Sequence, residues 1–551
     1  MLPGLCKSHF FDCNWLALGT TFLTVSAEVT RRNFTGSLVV GEAGEIAYQS
    51  LMFPRPRQDL IPNTAEFERG PFVKATGFRE YDARWLYPEE INLLGLEAVG
   101  LGLATLMRER GVPVRVVTAH DYRSYSAAVK AAVTTGLLAG GAEVHDIGLA
   151  LSPMAYFAQF ELGVEGVAMI TASHNDNGWT GIKMGMERPL TFSQEDMSAL
   201  KDTVMNGRFA SANEGGRYIF VPDLPERYMA DLLKRPKFLR PLKVVISCGN
   251  GTAGAFAPRV LSELGVTVVP LNCELDYTFP THNPNPEDLG MLNATRDAVL
   301  EHKADIGLAF DGDGDRCGVV DNVGEAIFAD KIGVMLARDI AARNKGALFV
   351  ADVKSTGLFL TDPVLKEHGA KTKFWKTGHS YIKRYSHETG ALVGFEKSGH
   401  FFFNPPLGRG YDDGLVAALA VLDMLDRNPD KTLAELKNEL PRTWQSPTMS
   451  PHCDDEVKYD VVDRVVKHYQ KVAANGGELA GQKIRELITV NGIRIVLDDG
   501  TWGLVRASSN KPELVVVVES PTSEANMRAI FAEIDAELSK QPEVGAYNQK
   551  I

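Results

Sequence analysis

Three aspartates alternate with glycine in Asp311-Gly-Asp-Gly-Asp315-Arg316, directly after an apolar run that ends at Phe310. Carboxylates alternating on a glycine-rich turn can gather hard oxygen ligands around one divalent cation. Few protein ligands and an open coordination position suit Mg²⁺. An EF-hand would need Gly at the sixth loop position and Glu at the twelfth, where Arg316 and Asn322 stand. Without a cation the three carboxylates would repel one another. Removing one, as in Asp313→Ala, is therefore expected to leave the metal-free loop about as stable as before.

Thr171-Ala-Ser-His-Asn175 follows another apolar run, 166–170. Ser173 there has three readings: a hydrolase nucleophile, a phosphoryl acceptor, or a plain loop residue. The G-x-S-x-G elbow of hydrolases is not matched. The adjacency of His174 does not by itself bring the two side chains together. Gly249-Asn-Gly-Thr-Ala-Gly254 matches G-x-G-x-x-G between a strand and a helix, with Glu274 and Asp276 near the end of the next strand. A nicotinamide or flavin enzyme is thus a competing reading, although glycine also permits a tight turn for its own sake. Arg506-Ala-Ser-Ser-Asn-Lys-Pro512 offers a bidentate fork, hydroxyls and turn amides. These suit a phosphate, and equally an ordinary polar hairpin.

Such loops need a scaffold, and one unit is written three times. Residues 114–118 lead through a polar turn at 120–124 and a helical stretch to Leu138 into 140–146. Residues 242–247 lead through 249–252 and a helical stretch to Leu264 into 265–270. Residues 347–352 lead through 354–357 and a helical stretch to His368 into 369–374. Each reads as strand, turn, helix, glycine stop, strand, which predicts parallel pairing with right-handed crossovers. Each unit then adds an apolar strand (166–170, 304–310, 391–395) that runs into Ser173, the aspartates, or Glu396-Lys-Ser-Gly-His400. Ligands gather at the carboxyl ends of such strands. Three of these ends facing one cleft would unite a nucleophile, a metal site and a polyol-binding loop. After about residue 445, helix-like stretches at 461–470 and 525–538 flank strands at 492–497 and 514–518, a fourth domain of α+β type with antiparallel strands.

The 551 residues carry a net charge of −12, which disfavours a general role on nucleic acid or anionic membrane. A hydrophobic fraction of 44% and a charged fraction of 23% are those of a globular chain. The six cysteines have no C-x-x-C spacing and do not cluster with histidines as a zinc site would, which points to free thiols in a reducing compartment. Residues 15–27 faintly resemble a secretory leader, but Asp12 and several threonines argue for a poorly ordered extension instead. A chain beginning at Met52 is expected to fold and work like the whole.

Together these motifs resemble the α-D-phosphohexomutase family, in its bacterial phosphomannomutase/phosphoglucomutase branch. The resemblance runs from about Gly77 to Ser520. It includes Phe78-Arg-Glu-Tyr-Asp-Ala-Arg84, the four loops above, Phe279-Pro-Thr-His-Asn-Pro-Asn-Pro286 and Lys376-Thr-Gly-His379. It implies an α/β fold: three similar mixed-sheet α/β domains plus a C-terminal α+β domain around a central cleft. The expected boundaries are an extension over 1–70 and domains over 71–225, 226–330, 331–445 and 446–551.

The resemblance also implies roles. Ser173, beside His174, would carry a phosphoryl group. Asp311, Asp313 and Asp315 would hold Mg²⁺, which also touches Ser173 when phosphorylated. Arg316 would neutralise phosphate charge, and Lys183 and His400 would move protons. Glu396 and Ser398 would bind sugar hydroxyls, with Lys354 and His379 nearby. Arg506, Ser508, Ser509 and Asn510 would grip the phosphate not being transferred, while Tyr81 and Arg84 close the cleft. The implied activity interconverts hexose 1- and 6-phosphates of mannose or glucose through a hexose 1,6-bisphosphate, which also serves as activator. Partners would be small sugar phosphates, with neither nucleic acid nor membrane, on a monomeric or weakly oligomeric cytoplasmic enzyme. The alternatives are a phosphoglucosamine mutase, a catalytically silent sugar-phosphate sensor and an NAD-dependent enzyme. Asp176, Asn491, Asn510 and Lys511 depart from the commonest family pattern, and they bear on substrate preference.

Overall fold

In each of the three repeats a central strand pairs in parallel with both of its neighbours. Arg115–His120 lies between Glu143–Leu149 and Gly166–Ile170. Lys243–Ser247 lies between Thr267–Leu271 and Ile306–Phe310. Leu348–Asp352 lies between Lys371–Trp375 and Val393–Phe395. The last strand of each trio then turns back through an antiparallel partner: Trp179–Gly185, Cys317–Asp321 or Phe401–Phe403. The turns of these three hairpins are the loops at Ser173, at the aspartates and at Glu396. The chemistry therefore sits where a parallel sheet becomes antiparallel. The computed structural model describes residues 53–551 apart from Ser211, Asn213 and Asn510. The leader-like stretch and Met52 lie outside the described residues.

The central strands are buried on both faces, which is why they read as unbroken apolar runs. One face of each of these three sheets feeds a shared core. Val117 and Met169, Ile246 and Phe310, and Phe349 and Phe395 belong to a single cluster with the helices Ser152–Leu162, Ala329–Arg343 and Gly414–Asp426. The glycine stops behave as the sequence suggests, with one shift. Gly265 and Gly369 take φ of 91° and 66°, but in the first repeat the left-handed residue is Gly141, at 76°. The helical stretch to His368 is broken into Leu358–Thr361 and Pro363–Glu367. Pro363 lacks an amide proton, and the Asp362 side chain caps Leu365 N instead.

In the last region Gln482–Ile488, Ile493–Leu497, Trp502–Ala507 and Leu514–Ser520 form an antiparallel sheet. The helices Lys458–Ala474 and Glu524–Leu538 cover one face. Trp502, Leu504 and Val517 on the other face meet Val353 of the third repeat. Arg494 fastens this contact. Its buried guanidinium lies 3.6 Å from the Trp502 ring centre and 4.3 Å from that of Phe374, and it donates to the carbonyls of Val353 and Ser355.

Within the expected extension to residue 70, the described residues from Phe53 onward are packed. Phe53 packs edge-on to Phe209, Leu60 and Phe67 bury against Phe72, and Asn92 Nδ2 donates to the carbonyls of Phe67 and Gly70. These anchors lie too far along the chain to register as a local period. Among the described residues, no helix is long and apolar enough to cross a membrane.

Candidate active site

Ser173 stands just past Gly166–Ile170 with φ of 52°, a left-handed conformation that costs a non-glycine residue energy and persists where neighbours fix it. The neighbours here are numerous. Ser173 N donates to Thr171 Oγ1, Arg123 Nη2 donates to the carbonyls of Ser173 and Asn175, and Arg84 Nη1 donates to the carbonyl of Ala172. A side chain at Gly312 would come within 2.5 Å of the Ser173 carbonyl oxygen, so only glycine lets the two loops touch. Ser173 Oγ then lies 3.3 Å from Asp311 Oδ2, 3.3 Å from Arg316 Nη2 and 3.2 Å from His174 Nδ1. Arg316 Nη2 also contacts His174 Nδ1.

The aspartates form the floor beneath Ser173. All three are fully buried, and one oxygen of each lies within 4.8 Å of the others. Asp313 accepts from Ser152 Oγ at 2.5 Å and from Lys183 Nζ at 2.7 Å, and Lys183 also pairs with Asp315. Burial raises the Asp313 carboxyl, but the Lys183 ammonium overcomes it and holds the group at about 2. Asp311 is pushed well above the carboxylate range by burial and by Asp315 and Asp313. Repulsion among the three therefore falls on Asp311, whereas the charge of Asp313 is matched by the Lys183 ammonium, which bears on the stability expected of Asp313→Ala. The donor set fits a magnesium ion. It offers hard oxygens only, and the buried Asp313 Oδ1 has no hydrogen-bond partner.

Glu396 and His400 bound the neighbouring wall. Ser398 Oγ donates to Glu396 Oε2, and Gly378 N donates to Oε1. Arg316 and His400 are bridged backbone to backbone, which ties the aspartate loop to this one. His400 Nδ1 lies 3.0 Å from Asp412 Oδ2 and 3.6 Å from Asp315 Oδ1. Lys383 Nζ neutralises Asp412 at 2.8 Å. Tyr81 OH meets Ser509 Oγ at 3.4 Å, and its ring stands edge-on to His379 at 4.8 Å. Lys354 is presented between the two carbonyls that Arg494 grips.

A single cleft is lined by Tyr81, Arg84, Ser173, His174 and Lys183 of the first repeat and by Arg316 of the second. Lys354, His379, Glu396, Ser398 and His400 of the third line it too, with Arg506, Ser508 and Ser509 of the last region. Every side chain to which the resemblance gives a role thus reaches the cleft or its floor, except Asn510, which lies outside the described residues. Positive charge is crowded here: burial, and Arg84 close by, push the Arg316 guanidinium down to about 9. Such a site favours an anionic ligand. A larger cavity floored by Leu336, Ile340 and Phe403 carries none of these groups, and its Arg235, Arg409 and Arg427 are paired with Asp423, Asp231 and Asp339.

The structure adds residues the motifs did not flag. Arg123, Ser152, Asp412 and Lys383 hold Ser173, Asp313 and His400 from the places just described, and Glu287 lines the cleft 3.7 Å from Arg316. Arg123 lies in the polar turn at 120–124, and Asp412 in Gly410-Tyr-Asp-Asp-Gly414, so turn composition was the one available signal. The G-x-G-x-x-G turn is spent on packing. A Cβ at Gly249 would meet Pro284 at 2.8 Å, at Gly251 it would meet Gly312 at 3.1 Å, and at Gly254 it would meet the Cys273 carbonyl at 2.1 Å. Those glycine faces are covered by protein where a dinucleotide would need them open.

Comparison with known proteins agrees with this geometry. Family models described as phosphoglucomutase/phosphomannomutase alpha/beta/alpha domains I, II and III match residues 75–211, 226–324 and 328–444. The model of the C-terminal domain matches residues 456–537. A phosphomannomutase/phosphoglucomutase of Pseudomonas putida is 34% identical over 453 residues, 82% of this chain and 93% of that protein. A phosphoglucomutase of Neisseria meningitidis is 35% identical over 450 residues, 81% of this chain and 94% of that protein. The crystal structure of a phosphoglucomutase/phosphomannomutase family protein from Burkholderia thailandensis matches with a TM-score of 0.75 at 29% identity, covering 86% of this chain and 99% of that one.

Proposed function

The chain belongs to the phosphoglucomutase/phosphomannomutase family and is a mutase, and from that premise we propose that it moves a phosphoryl group between the 1 and 6 oxygens of a mannose or glucose phosphate by way of phosphorylated Ser173. The observation that carries this reading is the surroundings of Ser173 Oγ, which has an arginine and an aspartate of the metal loop both at 3.3 Å.

In the first half-reaction the bond from phosphorus to Ser173 Oγ breaks as one to the sugar hydroxyl forms. Such transfer depends on in-line positioning and on charge stabilisation more than on covalent chemistry. Arg316 faces the transferring oxygens. A Mg²⁺ ion held by Asp311, Asp313 and Asp315 would supply further positive charge beside them. His400 takes the proton of the attacking hydroxyl. Its Nδ1 is engaged by Asp412, which leaves Nε2 for the sugar. Lys183 is the weaker candidate for that role, because two aspartates hold it as an ammonium. Glu396 and Ser398 receive sugar hydroxyls, with Lys354 and His379 beside them. Arg506, Ser508, Ser509 and Asn510 grip the phosphate at the far end, and Tyr81 and Arg84 close over it. The bisphosphate then turns round, and Ser173 recovers a phosphoryl group from the other end.

Intact-mass analysis before and after phosphatase, followed by assays with and without a hexose 1,6-bisphosphate, tests this reading. The isolated chain is expected to carry phosphate on the Ser173 peptide, and the dephosphorylated chain to stall until bisphosphate is added. Full activity of a chain that never carries that phosphate overturns the covalent route. Parallel assays on mannose, glucose and glucosamine phosphates decide the sugar.

A further inference from the structure

Outside the cleft, two thiols meet. Cys248 Sγ and Cys273 Sγ are 3.5 Å apart and unbonded; Cys248 is fully buried and Cys273 is half-buried. They sit just beyond the parallel pair Ser247 and Leu271, where Cys248 N donates to the Leu271 carbonyl and Asn250 N to that of Asn272. Neighbouring strands run about 4.8 Å apart, a spacing compatible with the roughly 4.4–6.8 Å between the Cα atoms of a disulfide. We propose that Cys248 and Cys273 are a modification site, closing to a reversible disulfide when the protein meets a hydroperoxide and thereby displacing the metal loop.

The step balances. Cys273 is the less buried of the two residues, and it ionises first: burial pushes the Cys248 thiol up, whereas contact with Cys248 draws Cys273 down. The Cys273 thiolate attacks one oxygen of the hydroperoxide. The O–O bond breaks, Cys273 becomes a sulfenic acid, and water or an alcohol leaves. The Cys248 sulfur then displaces that oxygen, the S–S bond forms, and the oxygen departs as water with the Cys248 proton. Two electrons pass from the sulfurs to the peroxide.

Closure brings the sulfurs from 3.5 Å to about 2.05 Å. The residues around them have little slack. Thr252 N donates to the Gly312 carbonyl at 3.1 Å, and Gly251 lies close against Gly312, whose Cα a side chain there would meet at 3.1 Å. Gly254 abuts the Cys273 carbonyl on the other side. Movement of Cys248 therefore passes to Gly312, the residue between Asp311 and Asp313. Transient disulfides of this kind are what a reducing compartment permits in a redox-responsive protein.

The test uses the full chain, reduced, desalted and treated with hydrogen peroxide, then alkylated and mapped by mass while turnover is followed. The expected product is a cross-link joining the peptides of Cys248 and Cys273, cleaved by dithiothreitol. Turnover should fall at least several-fold and return on reduction. Cys273→Ser and Cys273→Ala should keep turnover and lose the response. Oxidation of Cys273 to sulfinic acid without a cross-link overturns the site, and a cross-link with unchanged turnover overturns its link to the metal loop. The cross-link is read by mass, so this outcome stands apart from the proposed mutase chemistry, on which only the turnover arm rests.

Discussion

The loop at 311–316 and the loop at 506–511 present charge to the same cleft, but they are held in different ways. Each aspartate of the first is met by side chains from other elements: Asp311 by Ser173, beside Arg316 of its own loop, Asp313 by Ser152 and Lys183, Asp315 by Lys183 and His400. Arg506, by contrast, donates to the carbonyl of Ala507 next to it, and its loop reaches the first repeat through the 3.4 Å contact of Ser509 with Tyr81. A group fixed from several sides is suited to charge that develops at one point in a reaction. A group hung on its own hairpin suits a phosphate that must be accepted from either end of a substrate.

The largest expected effect lies in the first loop. Asp313→Asn should lower turnover by about a thousandfold or more, the scale of several kcal/mol for lost metal stabilisation. It should also lower the thermal midpoint in chelator, because Lys183 loses a partner. Asp311→Asn should be as inactive yet melt in chelator no lower than the unsubstituted chain. The sign follows from its raised carboxyl: the contribution of Asp311 to stability is fully present below its ordinary value of 3.8 and lost as pH rises above it. The advantage of Asp311→Asn should therefore shrink on acidification. Identical melting of the two variants would remove the distinction between a matched and an unmatched aspartate.

Next comes Asp412→Asn, which should lower kcat by about ten- to a hundredfold, part of the usual worth of a general base. KM should hardly move, since on the proposed mechanism Asp412 would act on the sugar only through His400. A loss shared equally by kcat and 1/KM would make it a structural residue instead. Arg506→Ala should act mainly on KM, raising it about tenfold or more, as for a charge-assisted hydrogen bond of about 1.5–3 kcal/mol. If its kcat fell as far as that of Asp313→Asn, the division of labour between the loops would collapse. Tyr81→Phe should be mildest, a few-fold change in KM for a neutral hydrogen bond of about 1 kcal/mol. A change larger than that of Arg506→Ala would mean that the cleft is closed chiefly from the first repeat.

What the sequence made legible follows the range of the interactions. Ser173, the three aspartates and Arg506 are visible because each lies in a short polar motif just after an apolar run, and their strands were readable from the same runs. The repeats supplied the rest of the scaffold, down to the parallel strands of each sheet. Arg123, Ser152, Lys383 and Asp412 were not legible, because what they do depends on partners brought close only by the fold: Ser152 and Asp313 are 161 residues apart. The same reason hid the packing of residues 53–70, whose anchors are Asn92 and Phe209. The break at Pro363 was readable in principle, since a proline inside a helical stretch announces a missing donor.

Ser173 is only 1% exposed, roofed by the cleft and floored by the aspartates. On the proposed mechanism this sets a clock. A phosphate stored there is shielded from bulk water, so it would be lost chiefly when an intermediate escapes, and seldom by slow hydrolysis while the enzyme stands idle. The protein would then keep its readiness through long intervals without substrate, and its need for re-priming would scale with the number of turnovers and not with elapsed time.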